Sequence, residues 1–199
     1  MNRKLLTIVC LACVCAVASS CHRRSDETPK PTAYLRVDLP EHAYTVCDTA
    51  ALPFTFERSS LSQLKWKDHP DRQQDKWFTL EYAQYKGYVF LSYKRLHGPE
   101  ELRAQVDTSY RFVEDNFHFS SGVDENRFMD QKHKLYGTTY HLKGQNVAST
   151  YQFWLTDSNR HFLRGALYID VTPNNDSLAP VLDYLQADMD HIMESVRWR

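Results

Sequence analysis

The run Asp157-Ser158-Asn159-Arg160-His161 brings an acid, a hydroxyl and an imidazole close together along the chain. Hydrolases that proceed through an acyl intermediate unite the same three groups in space. Adjacent side chains of a tight turn diverge, however. Nucleophilic catalysis needs a base within hydrogen-bond reach of the nucleophile and a third group that orients the base. The residue types fit a hairpin turn better. Asp188 and His191, three apart on a helical stretch, could supply two metal ligands. No further ligand is placed beside them, so the expectation there is a solvated helix face. Arg160 and Arg164, with Lys143, would form a basic spot at one end of a strand meander; ordinary surface charge is the plainer reading. The nine histidines include no H-E-x-x-H pattern, and there is no pair of C-x-x-C motifs. A G-x-S-x-G elbow and a glycine-rich phosphate loop are also missing from the sequence. No cofactor, metal or enzymatic activity is expected.

The cysteines carry the clearest chemistry. Cys10, Cys13 and Cys15 lie inside an N-terminal apolar run, Cys21 ends it, and only Cys47 lies in the body of the chain. Arg3-Lys4 followed by the apolar stretch Leu5 to Val17 has the layout of a secretory signal. That stretch falls short of the ~20 apolar residues that span a bilayer. Ala18-Ser19-Ser20 then precede Cys21, an arrangement like a lipobox, in which the cysteine is acylated and the signal removed. A plain signal peptide cut after Ala18-x-Ser20 is the alternative. The lipid reading accounts both for the position of the cysteine and for the polar stretch after it. His22 to Thr32 holds two prolines and has no apolar side chain, so it cannot pack. The sequence therefore divides into a signal over 1–20, a flexible tether over 21–32 and one globular domain over 33–199. A lone Cys47 cannot make an internal disulfide and reads as a small buried hydrophobe.

Periodicity supplies the elements of that domain. Tyr34 to Leu39 alternates and predicts a half-buried strand, and Phe54-Thr55-Phe56 repeats the pattern briefly. Ser59 to Lys76, rich in charge, Gln and Ser, reads as a surface loop. Trp77 to Tyr82 and Tyr88 to Tyr93 alternate around Lys86-Gly87 and predict a hairpin. Pro99-Glu100-Glu101 opens a helix of about 19 residues with a stripe of Leu102, Val106, Tyr110, Val113 and Phe117. An irregular stretch around Ser120-Ser121-Gly122 comes next. Leu135 to Leu142, Val147 to Leu155 and Phe162 to Val171 predict an antiparallel three-stranded meander. Asp176 or Ser177 caps a second helix with a stripe of Leu178, Val181, Leu182, Leu185, Met189, Ile192 and Val196. The fold class is α+β: an antiparallel sheet, hairpin plus meander, packed with two long amphipathic helices. Periodicity leaves open whether the helices cover one face or two.

Charge and aromatic content narrow the partners. Removing residues 1–20 takes two of the 24 basic side chains and none of the 25 acidic ones, leaving a mildly acidic domain. A nucleic-acid partner demands a basic face and is not expected. The chain carries 12 Tyr, 10 Phe and 4 Trp, several of them in the meander, where alternation must divide them between two faces. One face is core; rings on a face left uncovered would form a partner or ligand surface. Trp154, Arg160, His161 and Arg164 are the candidate interaction residues, and Cys21 is the candidate lipidation site.

The run Tyr151 to Tyr168 resembles the gliding motility lipoprotein GldD family, as do Pro173 to Val181 and the closing Val196-Arg197-Trp198. Tyr34 to Pro40, Trp77-Phe78 and Leu91 to Lys94 are similar to the same family, so the likeness spans nearly all of 33–199. The resemblance implies a lipid-anchored envelope protein working with the gliding and type IX secretion machinery. It implies neighbouring envelope proteins as partners, in the cytoplasmic or the outer membrane with the domain in the periplasm. It implies no catalytic residue. Three functions are compatible with these features: a non-enzymatic interaction module, a small-ligand or glycan binder using exposed aromatics, and a hydrolase built on Ser158 and His161.

Overall fold

A computed structural model describes residues 37–67, 75–171 and 175–199. The expected signal, Cys21, the tether and the first half of the strand predicted over 34–39 lie outside the described residues. Val37, Asp38 and Leu39 adopt no regular structure, so that strand is not found where it can be checked. Val37 and Leu39 nevertheless pack against the main core.

Two short strands come first, β1 (Tyr44–Cys47) and β2 (Phe54–Ser59). They pair antiparallel, and the C-terminal β10 (Arg197–Trp198) joins the other edge of β2. Next come β3 (Gln63–Lys67), β4 (Lys76–Tyr82) and β5 (Gly87–Arg95). The helix α1 (Pro99–Glu114) leads to β6 (Gly122–Asp130), β7 (Leu135–Lys143), β8 (Tyr151–Thr156) and β9 (His161–Ile169). The long α2 (Asn175–Ser195) precedes β10. The architecture is α+β, mostly antiparallel sheet with two helices.

One seven-stranded sheet holds the middle, in the order β3-β4-β5-β9-β8-β7-β6. The hairpin β4–β5 and the meander β7–β8–β9 are halves of this sheet, joined where β5 pairs with β9 along its full length. Two of its strands depart from expectation. Gln63–Lys67 belongs to the segment read as a loop, yet it pairs with β4 as an edge strand. Its polar composition hides the alternation that turns Leu64 and Trp66 toward the core side, opposite Leu80 and Phe78. Gly122–Asp130 carries no apolar rhythm and still pairs with β7 over nine residues. Edge strands tolerate charge on both faces, because only one side of their backbone is paired.

The helices cover opposite faces. On one side, Phe78, Leu80, Val89, Leu91, Phe153, Leu155 and Leu163 meet Leu185, Met189 and Ile192 of α2, with Phe54 and Phe56 of β2 closing the core. Leu185 is fully buried, and a side chain of that kind contributes about 1.5–3 kcal/mol by leaving water. Gly165 is required here: a Cβ would lie 2.2 Å from the ring of Phe153, its cross-strand partner. On the other side, Val113 of α1 packs with Tyr140, Leu142 and Val147. That helix is shorter than predicted. Asn116 donates through Nδ2 to the Phe112 carbonyl at 3.0 Å, and the chain leaves in a single 3-10 turn, Phe117–Phe119. Cys47 is buried, and burial pushes its thiol pKa up.

Candidate interaction surface

Strand parity decides what the four candidate residues can share. Trp154 on β8 sits directly opposite Arg164 on β9, so both project from the α1 side of the sheet. Trp154 donates through Nε1 to the Tyr140 hydroxyl at 3.4 Å and stacks on Phe162, with centroids 5.9 Å apart. Arg164 donates to Gln152 Oε1 at 2.7 Å and lies 4.4 Å from the ring centre of Phe112. Burial holds its pKa below the ordinary arginine value. This guanidinium is a packed, hydrogen-bonded group rather than part of an open basic spot. Arg160 is exposed in the β8–β9 turn. His161 points to the opposite face, where its Nδ1 meets the Tyr93 hydroxyl at 2.9 Å and its ring stacks on Trp198 at 5.0 Å. The four residues therefore do not form one surface.

The same geometry separates the groups of a hydrolytic site. Asp157 Oδ1 accepts the backbone N–H groups of Asn159, Arg160 and His161 at 2.9, 2.7 and 2.9 Å. Burial alone would raise its pKa, but these three bonds hold it below the usual carboxylate value. Ser158 stands exposed at positive φ, while His161 is buried, and burial lowers the pKa of its imidazole. The acid shapes the turn, the hydroxyl faces solvent, and the imidazole serves the core.

The pair Asp188 and His191 needs a correction. Asp188 is fully buried rather than solvated, and its Oδ1 lies 2.7 Å from Nδ1 of His42. His42 stacks on Tyr184 at 4.0 Å. Tyr44 stacks on His191 at 3.5 Å, and His191 Nε2 meets Glu57 Oε2 at 2.6 Å. Burial, and then the Asp188 charge, push the Tyr44 hydroxyl up to about 12 and that of Tyr82 higher still. Asp188 was detectable in the sequence: it lies three after Leu185 and four before Ile192, on the buried stripe. Its partner, 146 residues away, leaves no local signal. Among the described residues no group of three or more His, Cys, Asp or Glu side chains could hold a metal ion.

What α1 leaves open is the better candidate surface. The helix packs against β8 and β9, while the half of the sheet made by β5 and its neighbours carries aromatic rings on the same side. Phe90 is 45% exposed; it stacks on Tyr88 at 6.1 Å and meets Tyr168 edge-on at 5.3 Å. Phe90 pairs across the sheet with Ala166, the neighbour of Gln152, and the carbonyl of Phe112 accepts from Gln152 above that row. Phe112 itself is 46% exposed. The rings thus continue from the open sheet onto the flank of α1. The alternation of β5 contained Tyr88 and Phe90, but periodicity alone could not tell which face a helix would cover.

A sequence profile described as gliding motility lipoprotein GldD matches residues 24–198. The chain belongs to the GldD family. Membership associates it with gliding motility and, as a lipoprotein, with the cell envelope. The family is one of motility lipoproteins and not a known enzyme family. No curated protein and no solved structure matches the chain. Among the described residues of this GldD-family chain, no helix is long and apolar enough to cross a membrane.

Proposed function

We propose that this GldD-family lipoprotein is a non-enzymatic docking module of the gliding and type IX secretion machinery. Acyl chains on Cys21 hold it to the cytoplasmic or outer membrane once residues 1–20 are removed. Residues 21–32 act as the tether, and 33–199 as the domain offered in the periplasm. A tether of that length reaches at most ~40 Å, so the domain samples only neighbours close to the lipid surface. Two or more acyl chains are needed for stable anchoring.

The observation that carries the reading is the ring cluster of Tyr88, Phe90 and Tyr168 on the open half of the sheet. Large rings held in place by a strand cost little entropy to bury and are the side chains that dominate protein interfaces. Glycan binding through the same rings is the competing reading. A flat face that runs onto the flank of a helix suits a protein surface better than a single sugar. The test is Tyr88→Ser with Phe90→Ser, made in the full chain and recovered from detergent-solubilised envelopes after cross-linking. Removing the two rings forfeits their mutual contacts, worth about 0.5–1.5 kcal/mol per pair, and leaves the main core on the opposite face intact. Loss of the co-purified envelope proteins by at least tenfold, with cooperative unfolding retained, is the expected result. Full recovery of the same proteins with the variant, or a native chain that is always solitary, overturns it.

A further inference from the structure

The seven-stranded sheet ends in two unlike edges. At one end β3 is five residues long and carries Lys65 and Lys67, which blunt an edge against further pairing. At the other end β6 runs for nine residues, Gly122–Asp130, with no Lys and no Pro. It pairs with β7 residue for residue, so no bulge turns it away. Among the described residues no strand pairs with its outer edge. An uninterrupted edge of that length is a template for another strand.

The side chains of β6 fall into two sets. Val123, Glu125, Arg127 and Met129 stand on the α1 side, since Val123 and Glu125 pair with Leu142 and Tyr140, which pack with Val113. Asp124, Asn126 and Phe128 stand on the α2 side. Two of the acids are satisfied within the chain. Lys143 pairs with Asp124 at 2.6 Å. Asp130 accepts the His133 backbone N–H at 3.2 Å and meets His133 Nδ1 at 2.6 Å. Glu125 and Arg127 are exposed and are in no salt bridge among the described residues. Met129, on the same side, is 65% exposed.

These residues are complementary to themselves. An antiparallel pair of β6 strands from two copies has its twofold axis normal to the sheet, so each residue meets one from the same side. Centred on Asn126, the middle residue, the pairing uses the whole strand. Glu125 of each copy then lies opposite Arg127 of the other, and Val123 opposite Met129. Opposite charges and apolar side chains are the cross-strand neighbours that stabilise a sheet. Other centres do worse. Asp124, Glu125 or Arg127 at the axis would face its own like charge, and centres nearer the ends pair fewer residues.

We propose that β6 is a homodimer edge, at which a second copy of this chain continues the sheet in the register centred on Asn126. Two free charges and an exposed methionine on each copy find partners there, and the unpaired backbone of both edges is consumed. The symmetry also suits a tethered protein. An axis normal to the sheet puts the α2 sides of both copies on one side of the dimer. Val37 and Leu39, early in the domain, pack against the core that α2 covers. Both chains therefore enter from the same side, as two anchors in one membrane require. The rings of Tyr88, Phe90 and Tyr168 face the other way in both copies. The dimer stands on β6 alone and does not need the docking reading.

Asn126→Cys tests the register in native envelopes. Residues directly opposite in antiparallel strands have Cα atoms about 4.5–5.5 Å apart, within reach of a disulfide. Diamide, which takes up the two thiol hydrogens, should link Asn126→Cys into a covalent dimer. Asp124→Cys would lie ~13 Å along the strand from its own copy and should stay unlinked. In the purified full chain, sedimentation in a density-matched neutral detergent reads the association itself. Glu125→Arg or Arg127→Glu alone sets like charges opposite each other and should weaken it at least ~tenfold. The two reversals together restore opposite charges and should bring it back to within ~threefold of the unaltered protein. Both side chains are exposed and without ionic partners, so the fold should hold in every variant. Equal loss from single and double reversals, equal linking of the two cysteine variants, or a monomer at every concentration overturns the dimer. A covalent product with a different protein in place of a second copy overturns it as well. Tyr88→Ser with Phe90→Ser should leave the linking of Asn126→Cys unchanged, so the docking reading and the dimer fail separately.

Discussion

Replacing His42 by alanine isolates a buried carboxylate, and the cost can be worked from the geometry. Asp188 is fully buried, and His42 Nδ1 lies 2.7 Å from its Oδ1. Asp188 Oδ2 completes no hydrogen bond among the described residues, although the charge is felt at the Tyr44 and Tyr82 hydroxyls. In His42→Ala the carboxylate must either stay ionised without a partner or take up a proton. Protonating an aspartate at pH 7 against an ordinary pKa of about 3.9 costs at most ~4 kcal/mol. Breaking a buried pair by removing one member costs about 3–5 kcal/mol. His42 is itself 34% exposed, which lets water replace part of the contact and places the expected loss near ~3 kcal/mol. For a domain of this size each kcal/mol is worth about 2–4 °C, so the melting temperature should fall by roughly 6–12 °C at neutral pH. The sign of the pH dependence gives a second check. The cost is that of burying an unpaired charge, so the penalty is full where carboxylates are ionised and fades in acid. His42→Ala combined with Asp188→Asn should recover part of the loss, because an amide tolerates burial better than an unpaired charge. Thermal unfolding across pH reads all three. A loss under ~1 kcal/mol, well below the cost of breaking a buried pair, or a penalty independent of pH, would mean that the carboxylate is satisfied without the imidazole.

Two further outcomes are expected. Burial lowers the folded pKa of His161, so stability should be complete above its ordinary value of 6.5 and decline as pH falls below it; His161→Phe should flatten that part of the curve in a thermal titration. Cys21→Ser should shift the domain from the membrane to the soluble fraction with an unchanged melting temperature, and fractionation that still finds it membrane-bound contradicts the anchor.

Sequence rhythm carried β4 and β5, where buried and less buried residues alternate because one face meets the α2 core. β8 and β9 are covered on both faces and read as nearly continuous apolar runs, delimited by their turn residues rather than by alternation. The edge strands β3 and β6 escaped notice because their pairing is imposed by β4 and β7 rather than by their own side chains. Within the candidate interaction residues, parity was available and decisive. His161 and Arg164 are an odd number of residues apart on one strand, so they had to face opposite sides. The partnership of Trp154 with Arg164 depends on the register of β8 against β9, which the turn Asp157 to Arg160 sets. The His42–Asp188 contact joins segments 146 residues apart, and no local pattern announces such a meeting.

The sheet itself separates the proposed ring contact from the buried carboxylate. Tyr88, Phe90 and Tyr168 stand on the α1 side, on β5 and β9, near the middle of the strand order. Asp188 of α2 meets His42 across the sheet from those rings. Substitutions so separated, with no shared partners, add in their effects. Combining Phe90→Ser with His42→Ala should therefore lower stability by the sum of the single changes, while the recovery of envelope proteins falls only as far as Phe90→Ser alone takes it. A loss of recovery from His42→Ala by itself, in a domain that still folds, would show instead that the partner is engaged from the α2 side.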